Sequence, residues 1–201
     1  MGAADRYPEP YLEFLVLFHG ERDYFECHEV LEEYWQKERR GGDAARARLW
    51  AGLIQIAVAL YHERRGNAAG ARKLLKKAAH LLETEDPGRI GLDREELKRR
   101  IGERMRKLDG AADGTADEEE GRKRSGGPPG FRDLDLPFSD PKLEEECRRR
   151  CRERGFEWGA PSRMDRVELV HRHSVRDRTE VLERRREALE RKALRRPGPE
   201  R

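Results

Sequence analysis

The chain has 201 residues, 42% of them charged and 35% hydrophobic, with 44 Lys and Arg against 41 Asp and Glu for a net charge of +3. That balance excludes a global field steering the chain to nucleic acid or an anionic membrane, and three cysteines (Cys27, Cys147, Cys151) are too few for a disulfide framework. The longest apolar stretch, Leu53–Tyr61, contains Gln55 and is about half the length that spans a bilayer; with no basic-then-apolar segment at the N-terminus, a soluble cytoplasmic protein with no membrane association is expected.

Pro8 and Pro10 suit the start of a first helix, which is expected to run to about His19 before Gly20 breaks it. Asp23, followed three residues later by Glu26, reads as a capping box for a second helix from Tyr24 to about Lys37. Gly41-Gly42 makes the turn. A third helix follows from Ala44 or Ala45 to Arg65, on which Trp50, Leu53, Ile54, Ile56, Ala57, Val58 and Leu60 point in all directions; a helix apolar all round belongs at the centre of a bundle. Gly66 is a C-terminal stop and Asn67 an N-cap for a fourth helix with Ala71, Leu74, Leu75, Ala78 and Leu82 as its stripe. Pro87-Gly88 ends it, and Asp93 caps a fifth helix whose inward face is Leu97, Ile101, Met105 and Leu108.

From Gly110 to Gly130 the composition is that of a flexible acidic linker. The stretch Phe131–Phe138 has apolar residues with which to fold back on the bundle. Two further helices, near Pro141–Arg154 and Asp165–Leu194, are highly charged and weakly amphipathic and are expected to stay undocked. The expected fold is therefore all-α: a compact bundle of about five helices over residues 8–109, a linker over 110–130, and a charged, partly disordered or loosely helical C-terminal extension over 131–201.

One face of the second helix carries a polar anomaly. Phe25, Leu31 and Trp35 mark that face, His28 lies near its middle and Glu32 one turn further on. Burying an imidazole and a carboxylate is costly unless they are paired or bound to something. On the third helix Gln55 and His62 lie two turns apart on the same side, flanked by the small residues Ala51, Gly52 and Ala59. Antiparallel packing of the two helices would bring His28 and Glu32 opposite Gln55 and His62, with Glu29, Tyr61 and Glu63 at the rim.

Three uses fit that set. One is a divalent metal held by His28, Glu32 and His62, although the spacing is neither the H-E-x-x-H of zinc proteases nor the E-x-x-H of di-iron bundles. The second is a small-ligand or acid–base pocket with Glu32 fixing a histidine tautomer. The third is a His–Glu hydrogen bond that locks two helices in register.

Cys147 and Cys151, with His171 and His173, invite a zinc reading, but their charged surroundings favour reduced bystander thiols. Cys27 reads as a small buried residue. Pro141–Arg201 carries 19 Lys and Arg against 13 Asp and Glu, an excess of +6. Its Arg runs are interleaved with Glu, so they read as solvated faces, with nucleic-acid binding through 141–201 as the alternative. A homo-oligomer or protein partner would use the first helix (Tyr11, Phe14, Leu17, Phe18) or Trp158 as an exposed apolar patch.

The strings FHGERDYFECHEVLEEYW and LWAGLIQIAVALYHERRGNAAGARKLL, in that order, resemble the prokaryotic domain-of-unknown-function family 309, over about Leu12–Leu82. The resemblance implies a small all-helical protein and carries over His28, Glu29, Glu32, Trp35, Gln55, His62, Asn67 and Gly70 as its characteristic positions. Where that family often has Asn after the first Phe, this chain has His19, a third imidazole either near the pocket or at a helix end. The resemblance speaks to fold and names no reaction.

Overall fold

The computed structural model describes residues 6–41, 43–113 and 131–172. Among them are seven α-helices: α1 (Glu9–Val16), α2 (Tyr24–Gly41), α3 (Ala44–Arg64), α4 (Ala68–Thr84), α5 (Arg94–Asp113), α6 (Pro141–Glu153) and the single turn α7 (Val167–Val170). No described helix is long and apolar enough to cross a membrane.

The all-round apolar helix sits at the centre, as its composition requires. Leu49, Trp50, Leu53, Ile56, Ala57, Ala59 and Leu60 of α3 are fully buried. Asp43 caps its N-terminus, accepting from the Ala45 and Arg46 amides at 2.9 and 3.2 Å. α2 runs antiparallel to it, with Phe25 against Tyr61 (5.6 Å between ring centroids) and Tyr34 against Trp50 (6.0 Å). α4 packs so closely that a Cβ on Gly52 would lie 2.9 Å from Leu82. Gly52 therefore serves the approach of α4.

The first helix does not break at Gly20. α1 runs on into a π-helical turn, Leu17–Glu21, closed by Arg22 in the left-handed conformation (φ 59°). Glycine is needed there for packing: a Cβ on Gly20 would lie 2.8 Å from Cys151 Sγ and 3.1 Å from Phe156 Cβ. The element pressing on it is α6, which was expected to stay undocked. Leu143, Cys147 and Cys151 repeat every four residues, so they form one apolar stripe despite the charged residues between them, and all three are fully buried. Ion pairs from Arg150 to Glu9 and from Arg154 to Glu13 flank the contact with α1.

The stretch before α6 folds back as its apolar residues suggest. Leu134 and Leu136 are buried, the Asp93 amide donates to the Pro137 carbonyl and the Ser139 amide to the Gly91 carbonyl, both at 2.9 Å. The described part of the expected extension thus joins the same hydrophobic core as α1 and α3. The first-helix patch assigned to self-association is also taken up by this core, Tyr11 against Trp50 and Phe18 against Tyr24: Tyr11, Phe14 and Phe18 are fully buried and Leu17 is nearly so, Trp158 is half-buried, and Val167 is the exposed large hydrophobic residue among the described ones. Residues 173–201, including His173 and most of the second charged helix, lie outside the described residues.

Gly20→Ala is expected to cost about 1–3 kcal/mol in urea unfolding, the usual cost of overpacking. The cost should shrink in a Cys151→Ala background, where the 2.8 Å neighbour is gone; an equal cost in both backgrounds would show that α6 does not press on the turn.

Candidate functional site

The polar residues at the start of α2 form a buried network. Asp23 is fully buried and caps the helix, its Oδ1 accepting from the Glu26 amide at 3.0 Å. The Asp23 amide itself donates to the Leu17 carbonyl at 3.3 Å, in the place of the return bond of a full capping box. Its other oxygen pairs with Arg172, and burial pushes its carboxyl above the ordinary range.

Behind it lies Arg64, on the last turn of α3 and 1% exposed. Its guanidinium donates to the carbonyls of Arg22 at 2.7 Å and Leu169 at 2.8 Å and sits over the Tyr24 ring at 5.0 Å. Asp133 accepts from the Tyr24 hydroxyl at 2.7 Å, from the Ser162 amide at 2.6 Å and from the Ser162 hydroxyl.

The residues singled out from the sequence divide between two jobs. His62 belongs to a corner. Its Nδ1 accepts from Asn67 Nδ2 at 2.8 Å, and Asn67 Oδ1 in turn accepts from the Gly70 amide at 2.8 Å, capping α4. That assignment places the proton of a neutral ring on Nε2, and burial followed by the Arg65 charge lowers the imidazole's pKa, favouring the neutral form that the bond requires. Gly70 is part of the same device, since a Cβ there would lie 2.6 Å from Asn67 Nδ2.

His28, Glu32 and Trp35 are half-buried on α2, and Gln55 is half-buried on α3. His28 Nδ1 lies 3.3 Å from the Tyr24 carbonyl of its own helix and its ring stands edge-on to Phe25. Since the carbonyl can only accept, Nδ1 carries the hydrogen, so in the neutral tautomer Nε2 is the acceptor. Trp35 is covered by the Arg39 guanidinium at 5.1 Å. The carbonyl oxygen of Gln55 is buried with no hydrogen-bond partner. Between the Phe25–Tyr61 and Tyr34–Trp50 contacts, His28 and Glu32 run alongside the segment that carries Gln55; His62 lies beyond Tyr61, past the end of that stretch.

Glu29 is half-buried on α2 and Tyr61 is buried against Phe25, whereas Glu63 turns to α5 and pairs with Arg104 at 2.8 Å. It is not a rim residue of the set.

Among the described residues no three His, Cys, Asp or Glu side chains are grouped to hold a metal. The metal set expected at His28, Glu32 and His62 is therefore not assembled, because one imidazole is turned to its own helix and the other to Asn67. Cys147 and Cys151 are free and sunk in the core, where burial pushes their thiols up to about 12 and about 11, away from the thiolate that zinc requires. His19 joins neither group; it stacks on Trp158 at 4.4 Å.

The family model described as a domain of unknown function (DUF309) matches residues 11–74, the span that holds α1 to the start of α4. An uncharacterised protein, YpuF, of Bacillus subtilis (strain 168) is 38% identical over 191 residues, covering 92% of this chain and 97% of that protein. No solved structure matches the chain.

The corner gives a prediction with two signs. Gly70→Ala should destabilise the protein by about 1 kcal/mol by evicting the Asn67 cap, yet in an Asn67→Ala background the same change should stabilise by about 0.5–1 kcal/mol, the helix preference for Ala over Gly. The same sign in both backgrounds, measured by thermal and urea unfolding, would contradict the coupling.

Proposed function

The chain belongs to the domain-of-unknown-function family DUF309, and from that premise we propose that it is a small-ligand-binding helical protein whose contact set is His28, Glu32 and Gln55 in the α2–α3 seam. The observation that carries this reading is the Gln55 carbonyl oxygen, buried without a partner. A buried acceptor left unmade costs about 1–3 kcal/mol, and a ligand N–H would recover it. His28 Nε2 and the Glu32 carboxylate are acceptors too, so the seam fits a ligand rich in N–H donors, a primary amide or amine. His62, Asn67 and Gly70 hold the corner, and Trp35 and Tyr61 support the two helices. Free, buried cysteines fit a reducing cytoplasm.

Neither rival reading draws comparable support. The first-helix patch needed for self-association is covered. Arg148, Arg149 and Arg150 of α6, and Arg154 just after it, each pair with a glutamate, so most of the arginine charge there is already met.

Gln55→Leu separates binding from structure. It should raise the stability of the ligand-free protein by about 1 kcal/mol, because it removes an unmade acceptor, and abolish the thermal shift given by a panel of millimolar primary amides and amines. A wild-type protein that no member of the panel shifts, or a Gln55→Leu protein that keeps the full shift, would refute the proposal.

A further inference from the structure

A concavity lies beside the π-helical turn, at His19. It is a cleft of about 570 Å³, walled by the turn, the start of α5, the stretch Asp135–Phe138, α6 and Trp158. That volume lies within the range that takes a small organic ligand. Its charged lining is four carboxylates, Asp93, Glu96, Asp135 and Glu144, against the guanidiniums of Arg100 and Arg148. Both guanidiniums are already engaged, Arg100 with Glu96 at 2.7 Å and Arg148 with Glu144 at 2.8 Å. Asp135 is paired in turn with Arg22 from behind the wall, so the acidic charge left over is that of Asp93. The rings of Phe138 and Trp158, 5.8 Å apart, supply the apolar surface, and the Arg148 guanidinium, 5.3 Å from the Trp158 ring centre, already shows a cation lying against it.

His19 stands in this wall, 1% exposed, stacked flat on Trp158 with an interplanar angle of 6°. Neither ring nitrogen has a hydrogen-bond partner. Nδ1 is 3.6 Å from Asp135 Oδ1, too long for a hydrogen bond but close enough to orient the ring. Asp135 itself is half exposed and held in place by Arg22 at 2.7 Å. A cation approaching Asp135 through the cleft thus comes next to an imidazole that lacks a donor. The neutral ring is favoured there, because burial lowers the His19 pKa, and a neutral ring keeps one nitrogen as an acceptor.

We propose that this cleft binds a small organic cation, an ammonium or guanidinium group whose N–H donors reach Asp135 and His19 while its carbon skeleton lies against Trp158 and Phe138. The excess of carboxylate sets the sign of the ligand, the aromatic wall favours an organic cation over a hydrated ion, and the unpartnered imidazole supplies the acceptor.

Calorimetric titration of the full chain with arginine amide, and with succinate as an anion of comparable size, tests this. Arginine amide should bind and succinate should not. His19→Phe keeps a ring for Trp158 to stack on but removes the acceptor, and should weaken arginine amide at least about tenfold. Asp93→Asn with Glu144→Gln, in which Asn preserves the α5 cap, should weaken it similarly even if the His19 variant fails to fold. Gln55→Leu, remote from this cleft, removes the seam's claim on the same amide and amine groups, so it should keep arginine amide binding, and the His19 and Asp93/Glu144 variants are compared in that background. No binding of arginine amide at millimolar concentration, binding of succinate in its place, full affinity in the Asp93/Glu144 variant or in a folded His19→Phe protein, or loss of binding in Gln55→Leu would each overturn the proposal.

Discussion

The structure turns on one buried guanidinium. Arg64 ends the central helix inside the protein, where an unpaired charge is strongly destabilising, so its donors must be met by the chain around it. Those of its two terminal nitrogens are met by the carbonyl of Arg22, at the left-handed residue that closes the π-helical turn, and by the carbonyl of Leu169, more than a hundred residues later, while Nε is buried without a partner. Its position in the last turn of α3 also sets a cation against that helix's carbonyl end. One side chain thereby links the N-terminal helix, the cap of α2 and the C-terminal segment. Asp23 and Asp133 complete the arrangement through Arg172, Tyr24 and Ser162.

This linkage explains why residues 131–172 cover the first helix instead of hanging from it. Two aspartates alternate with two leucines in Asp133-Leu-Asp-Leu136, so an extended backbone sends the leucines into the core and the aspartates to Tyr24 and Arg22. α6 then lays Leu143, Cys147 and Cys151 over α1 and the π-helical turn. The cysteines act there as small apolar residues, their thiols held protonated by burial.

The bundle itself was legible from the sequence, because caps and apolar periodicity are local signals. Asn67, Asp93 and the all-round apolar α3 stand where the pattern puts them. The docking of α6 was not legible from bulk composition, since 42% charge hides a stripe of only three residues at four-residue spacing. Arg64 was missed for a related reason: it reads as a polar helix end, although it lies four residues after Leu60 and seven after Ala57 on a buried face. In the polar set, spacing could not show that His62 would be claimed by the next helix's cap, because Asn67 lies beyond the turn that ends α3. His19 was visible only as an imidazole near a helix end, because its partners Trp158 and Asp135 come from the distant segment.

The most direct measurement is the unfolding of a chain ending at Gly110 beside that of the full chain, by circular dichroism and calorimetry under the same conditions. If Arg64 and the covering segment complete the core, the short chain should keep helical signal but lose its cooperative transition and expose apolar surface to dye. A short chain that melts cooperatively at the full-length midpoint would contradict the account.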